Sequence, residues 1–143
     1  MIAQLRFVDT SGIDVETYVA PDPENAGEWI TLYIGAAGEQ GEESFQILVC
    51  TPLWLQDLIE REGPQIGRHH LIVYPFNLQK AIEFLRARIQ TVDGPNWSVV
   101  GERLSRLAHW EFEDYQEHRP APEPELFLKD DGTYTRHDPG TIR

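Results

Sequence analysis

The first half of the sequence has almost no basic residues: no lysine or arginine occurs between Arg6 and Arg61. That same segment holds eleven acidic residues, and the whole chain has 24 acidic against 12 basic residues, a formal net charge of -12. A negative field repels phosphate backbones, which proteins normally contact through lysine and arginine. The composition therefore argues against a nucleic-acid partner and for a positively charged one. A solvated acidic face that serves only solubility is the competing interpretation.

Cysteine and long apolar runs are also scarce. Cys50 is the single cysteine, so no disulfide can form within the chain. No apolar run approaches the ~18 residues of a membrane helix, and no charged segment followed by an apolar one opens the sequence, as in a signal peptide. These absences predict a cytoplasmic protein without a membrane partner. The length of 143 residues suits one domain with a proper core.

Residues 2–8, 29–34 and 44–50 are runs rich in strand-favouring residues, with a period of two in the first and last, which predicts three strands, the last two paired as a hairpin. Thr51, Asn77 and Asn96 are typical N-caps for three helices, and a further strand is expected over residues 68–74. The order βββαβαα predicts an α+β domain with a mostly antiparallel sheet of about four strands and three helices packed mainly on one face.

Apolar residues at helical spacing predict the buried stripe of each helix. The stripes comprise Leu55, Leu58 and Ile59 in the first helix, Leu78, Ala81, Ile82, Leu85 and Ile89 in the second, and Trp97, Val100, Leu104 and Leu107 in the third.

The composition changes near residue 118. Pro120, Pro122 and Pro124 alternate there, which predicts an extended tether. We therefore expect one domain over residues 1–117 and a proline-rich tail over 118–143. Within the tail, residues 126–128 and 133–135 flank Lys-Asp-Asp-Gly and predict a small hairpin, with a simple ordered tail as the alternative.

No motif in the sequence selects a catalytic or metal site. His109, Glu111, Glu113, Asp114 and His118 form the richest cluster of suitable side chains, but their spacing differs from H-E-x-x-H. A helix end passing into an extended segment, with aromatic residues inward and acids outward, explains the cluster better.

The remaining candidates are weaker. His69 and His70 would point to opposite faces of a strand. Cys50 ends an apolar strand and fits a small buried filler. We expect neither metal nor cofactor.

Several strings taken together resemble the immunity protein 8 family of bacterial polymorphic toxin systems, over about residues 1–117. These strings are Pro21-Asp-Pro-Glu-Asn25, Gly41-Glu-Glu-Ser-Phe45, Val49-Cys-Thr-Pro-Leu-Trp-Leu55, Gly67-Arg-His-His-Leu-Ile-Val73 and Trp110-Glu-Phe-Glu-Asp-Tyr115. The resemblance implies a cytoplasmic, non-catalytic protein that binds and neutralises a toxin domain. The residues that match the family pattern include Glu42, Glu43 and the run from Trp110 to Asp114.

Exposed acids are the predicted contacts with the basic surface of such a toxin, which would be a nuclease if that surface is a phosphate-binding cleft. The predicted partner-binding residues are Asp14, Glu16, Asp22, Glu24, Glu28, Glu39, Glu42 and Glu43, with Glu111, Glu113 and Asp114 as secondary candidates. Two alternatives remain: a generic acidic adaptor domain, and a small hydrolase that uses His109, Glu111 and Asp114. Whether the chain forms homo-oligomers is left open.

Overall fold

The computed structural model of the chain describes residues 1–112 and the backbone of residues 126–128 and 134–136. The chain divides into two units, Met1–Glu113 and Asp114–Arg143. The predicted proline-rich tether lies outside the described residues, and the predicted domain boundary after residue 117 stays a prediction.

Three long antiparallel strands make up most of the sheet in the first unit. β1 (Ala3–Asp9) pairs with β2 (Gly27–Ala36), which pairs with β3 (Glu43–Cys50) as the predicted hairpin. β3 is followed by α1 (Pro52–Glu62), and β4 (His70–Ile72) then runs parallel to β3. The α+β class is confirmed.

Two further helices and a fifth strand complete this unit. α2 (Leu78–Ile89) and α3 (Trp97–Leu104) precede β5 (His109–Trp110), which pairs antiparallel with β3. The sequence predicted about four strands and only an extended segment at the position of β5. Within residues 1–112 that segment pairs with β3, so the sheet has a fifth strand. Of the three helices in the described part of the chain, none has the length and apolar character of a transmembrane span.

The core lies on one face of the sheet, as the period of two in its strands requires. Alternate residues of β1, β2 and β3 are buried there, and α2 and α3 pack their apolar stripes against them. Burial of each large aliphatic or aromatic side chain contributes about 1.5–3 kcal/mol. The fully buried large side chains include Ile30, Leu32, Ile34, Phe45, Ile47, Leu78, Leu85, Ile89 and Leu104.

All three predicted N-caps are confirmed. The side-chain oxygens of Thr51, Asn77 and Asn96 accept hydrogen bonds from the third residue after each, and all three residues have an extended backbone. Each bond satisfies a backbone N–H that the first turn of a helix leaves without a partner.

The predicted buried stripe of α1 is wrong. No residue of α1 is buried, Leu55 and Leu58 are only half-buried, and Ile59 is 42% exposed. Instead, the ring of Trp54 occupies the space beside Gly27, where an added Cβ would lie 2.4 Å from the ring. Gly27 pairs with Cys50, on the sheet face opposite the core. The Trp54 ring of α1 therefore lies at the end of that second face.

Two boundaries also differ from those predicted. The fourth strand is His70–Ile72 and not 68–74, because His69 has a left-handed backbone with φ of 64°, which a strand does not accommodate. Helix α3 ends at Leu104, so Leu107 lies in the turn beyond it, where it still packs half-buried against the core.

The second unit is described only by the backbone of two strands. β6 (Leu126–Leu128) and β7 (Tyr134–Arg136) pair antiparallel, which confirms the predicted small hairpin.

Candidate functional site

The long central strand separates the predicted acidic residues into two groups. β2 has ten residues, which at about 3.3 Å per residue correspond to about 30 Å. The first group, here called the loop acids, precedes or begins β2 and comprises Asp14, Glu16, Asp22, Glu24 and Glu28. The second group, here called the hairpin acids, follows the other end of β2 and comprises Glu39, Glu42 and Glu43. The structure does not bring the two groups together in one cluster.

Two of the loop acids shape the backbone of the loop between β1 and β2. A carboxylate oxygen of Asp14 accepts a 3.0 Å hydrogen bond from the backbone N–H of Glu16. In the same way, Asp22 accepts a 3.1 Å bond from the N–H of Glu24. Both are turns in which a side chain replaces a backbone acceptor. These carboxylates therefore hold the loop in shape while their residues stay exposed.

Two other loop acids accept hydrogen bonds from tyrosines. The Tyr74 hydroxyl donates to Glu24 at 3.3 Å, and the Tyr18 hydroxyl donates to Glu28 at 3.4 Å. The negative charge of Glu24 raises the pKa of Tyr74. The pKa of Tyr18 is also raised, first by burial and then by Glu28, because both disfavour a phenolate. Both tyrosines therefore act as neutral hydrogen-bond donors at ordinary pH.

Arg6 holds the hairpin loop that bears Glu39 and Glu42. It lies where the pairing of β1 with β2 shifts register, between Leu5 and Phe7. Its guanidinium donates from Nη2 to the backbone oxygen of Ala36 at 2.6 Å and to that of Glu39. Both bonds reach carbonyl groups of the loop, so the positive charge of Arg6 organises the backbone and leaves the Glu39 carboxylate unbonded. A shallow cavity of about 230 Å³ lies between this loop and Trp97.

The third hairpin acid and the secondary candidate Glu111 meet at the start of β3. The indole N–H of Trp110 donates to Glu43 at 2.6 Å, and the backbone N–H of Ser44 donates to the Glu111 carboxylate at 2.8 Å. Glu111 was predicted from the family resemblance, and the structure brings it to the hairpin acids across 67 residues of sequence. Both carboxylates accept internal hydrogen bonds, which sequence reasoning had not anticipated.

The predicted acids lack basic partners within residues 1–112. The ion pair in this part joins Arg103 to Asp93 at 3.7 Å and involves none of the eight primary candidates. Six of the eight belong to exposed residues, whereas Glu28 and Glu43 are half-buried. Glu113 and Asp114 lie outside the described residues. The six exposed candidates therefore form no ion pair within residues 1–112, and Glu16 shares a cavity with Arg6 and Arg86.

The residues of the alternative hydrolase are not assembled in the described part of the chain. His109 is exposed and its ring centre lies 5.6 Å from that of His69, while Glu111 is bonded to the Ser44 backbone and Asp114 lies outside the description. Among the described residues, no three His, Cys, Asp or Glu side chains converge as a metal site requires. Cys50 is fully buried, as predicted, and burial raises the pKa of its thiol, which keeps it protonated.

A groove beside β4 contains residues that sequence reasoning missed. It has a volume of about 400 Å³ and lies between β4 and α2, where Ile72, Tyr74 and Phe84 are more than half exposed. One signal was available in the sequence. Phe84 lies off the buried stripe of α2, so a large aromatic residue had to face solvent or a partner.

Fold and site together define an acidic α+β domain whose exposed carboxylates can meet a positively charged partner. The family model of Immunity protein 8 matches residues 3–115, which is more than half of the chain. The chain therefore belongs to the immunity protein 8 family, and this membership implies an immunity protein. No match was found among curated proteins or among solved structures.

Proposed function

We propose that this protein protects a bacterial cell by binding a toxin domain of a polymorphic toxin system in the cytoplasm. Its acidic surface meets a basic surface of the toxin, and the bound toxin cannot reach its substrate. The observation that carries this proposal is the pair of exposed carboxylates of Glu39 and Glu42, on a turn that Arg6 fixes through backbone bonds. Family membership supports the toxin as the partner.

A basic surface is the feature that a nucleic-acid-degrading toxin must have, since it has to bind phosphates. A carboxylate surface competes with those phosphates for the same lysine and arginine side chains. It also attracts the toxin over about 8–10 Å at physiological salt and so raises the association rate. A nuclease is therefore the class of toxin that we propose.

The spacing of the two acidic groups fits an ordinary protein interface. β2, which lies between the two groups in the sequence, is about 30 Å long, and a standard interface covers about 800 Å² on each partner, a patch of about that width. One toxin domain is thus large enough to contact both groups, or to be attracted by one group while it docks near the other.

Neutralisation, by this chain, of any toxin domain encoded beside its gene tests the proposal. Cells that express the toxin domain alone should stop growing, and co-expression of this chain should restore growth. The two purified proteins should form a complex whose association slows as salt rises, because exposed charges are screened. Absence of both rescue and complex formation would reject the function, and rescue without salt dependence would reject the electrostatic part.

A further inference from the structure

The groove between β4 and α2 is an apolar surface at one edge of the sheet. Ile72, Tyr74 and Phe84 line it and are 55%, 66% and 56% exposed. Their neighbours Leu71 and Val73 pack partly buried against the core, so the groove floor is anchored to the domain. Contiguous exposed apolar surface of this kind marks interaction sites in soluble proteins.

The strand beside the groove has an open edge. β4 ends the strand order β1-β2-β3-β4, so within residues 1–112 no strand pairs with its outer side. An edge strand presents backbone N–H and C=O groups that an added strand can use. Recognition by strand addition draws its affinity from these backbone bonds and its specificity from side-chain pockets next to them. The groove supplies such a pocket.

The rim of the groove is negatively charged on the side of the loop acids. The Tyr74 hydroxyl donates to Glu24, and the backbone N–H of Phe76 donates to the oxygen of Pro23 at 2.7 Å. These two bonds tie the acidic loop to the groove wall. Asp22 is near enough to contribute to the raised pKa of Tyr74. Lys80 is the one basic residue among those that line the groove.

We infer that this groove receives an extended segment of the toxin domain that combines an apolar side chain with an adjacent lysine or arginine. The segment pairs with the open edge of β4 and places its apolar side chain against Phe84. Its basic side chain reaches Asp22 and Glu24. This inference rests on the proposed function and adds the chemistry of the partner segment.

The chemistry of the groove favours such a segment over a purely basic one. Interface energy concentrates in a few apolar or aromatic anchors seated in pockets, whereas rim charges mainly affect the association rate. The hairpin acids offer charge, and the groove offers charge together with an anchor pocket. The groove should therefore control how long the complex lasts.

Alanine substitutions at matched positions test the inference with the full chain and the toxin domain encoded next to its gene. Phe84→Ala should weaken binding about tenfold or more, mainly through faster dissociation. Phe7→Ala is the control: Phe7 is 48% exposed and lies on β1, at the opposite edge of the sheet. This variant should bind within about twofold of the wild type. The melting temperature of each variant is measured beside its binding, because Phe7→Ala also removes a ring that stacks on Tyr33.

Hydrogen exchange gives a second readout of strand addition. Backbone amides of His70–Ile72 should exchange more slowly in the complex than in the free chain, since a new strand would pair with them. If the wild type binds the toxin but Phe84→Ala and Phe7→Ala bind equally well, the groove inference fails and the proposed function stands. If the wild type does not bind the toxin at all, the proposed function fails and the inference with it.

Discussion

The indole nitrogen of Trp110 donates a 2.6 Å hydrogen bond to the carboxylate of Glu43, although 67 residues separate them in the sequence. A second bond, from the Ser44 backbone to Glu111, lies directly beside it. The Trp110 ring also stacks on Phe45 with ring centres 6.0 Å apart. β5 is thereby fastened to the start of β3. A residue chosen for its charge as a partner contact, Glu43, thus also holds the fold together.

Replacement of Glu43 tests its structural role. Glu43→Ala should lower the free energy of unfolding by about 1–2 kcal/mol, because it leaves the half-buried Trp110 N–H without its charged acceptor. Glu43→Gln, which keeps an oxygen acceptor, should lower it less. Glu42→Ala is the control at an exposed position and should change it by less than about 0.5 kcal/mol. Urea unfolding measures all three, and an equal effect of Glu43→Ala and Glu42→Ala would contradict the structural role.

Charge reversal in the hairpin loop tests electrostatic attraction. The double variant Glu39→Lys with Glu42→Lys should slow association with the toxin domain about 3- to 10-fold at low salt and flatten the salt dependence. Neither side chain has an internal hydrogen bond in the described part of the chain, so stability should hold. Stopped-flow mixing over a series of salt concentrations measures the rate.

The control variant for that experiment has the same net charge as the Glu39→Lys with Glu42→Lys variant. Glu62→Lys with Glu102→Lys changes the charge by the same amount at exposed positions on α1 and α3. It should slow association less, because those acids are not part of the proposed contact. Equal slowing by both pairs would show that only net charge matters.

Gly101 should resist substitution even though it lies within a helix. An added Cβ would lie 2.6 Å from the Trp110 ring. Alanine normally stabilises a helix by about 1 kcal/mol relative to glycine, yet Gly101→Ala should lower the free energy of unfolding by about 1–3 kcal/mol because the ring must move. The same change in a Trp110→Phe background should cost less. Calorimetry of the wild type, the two single variants and the double variant measures how far the effect of Gly101→Ala depends on the Trp110 ring. A Gly101→Ala variant more stable than the wild type would refute the close contact.

Cys50 should be unreactive in the folded protein. It is fully buried, and burial raises the pKa of the thiol, so the reactive thiolate is both scarce and shielded from reagents. A thiol reagent at pH 8 should label less than a tenth of the protein in the time that labels all of it in denaturant. Mass spectrometry gives the labelled fraction. Rapid labelling of the native chain would mean that the end of β3 opens easily.

Features that depend on neighbouring residues could be predicted from the sequence. The side-chain oxygens of Thr51, Asn77 and Asn96 cap helices through bonds that span three residues, so the local sequence contains both partners. The β2–β3 hairpin likewise joins adjacent segments with alternating apolar residues. The family resemblance, which depends on the order of short strings, was also available without coordinates.

The site could be predicted only as a set of residues. Their charge and exposure followed from composition and loop position, but their arrangement did not. Glu28 and Glu39 are close in the sequence, whereas about 26 Å of extended β2 lies between Glu28 and the hairpin loop. Glu43 and Glu111 are far apart in the sequence, whereas β5 brings their segments into contact. The groove required β4 and α2 to pack side by side, which no local pattern specifies.

By itself, the sequence determined the helix starts, the central hairpin, the excess of negative charge and the family, because each depends on local interactions or on residue order. Tertiary structure alone decided that Glu43 and Glu111 accept internal bonds, that the Trp54 ring lies beside Gly27, and that Phe84 borders a groove beside β4. The physical reason is that pairing and packing between distant segments depend on the whole chain, and one register out of many leaves the core buried and the backbone groups satisfied.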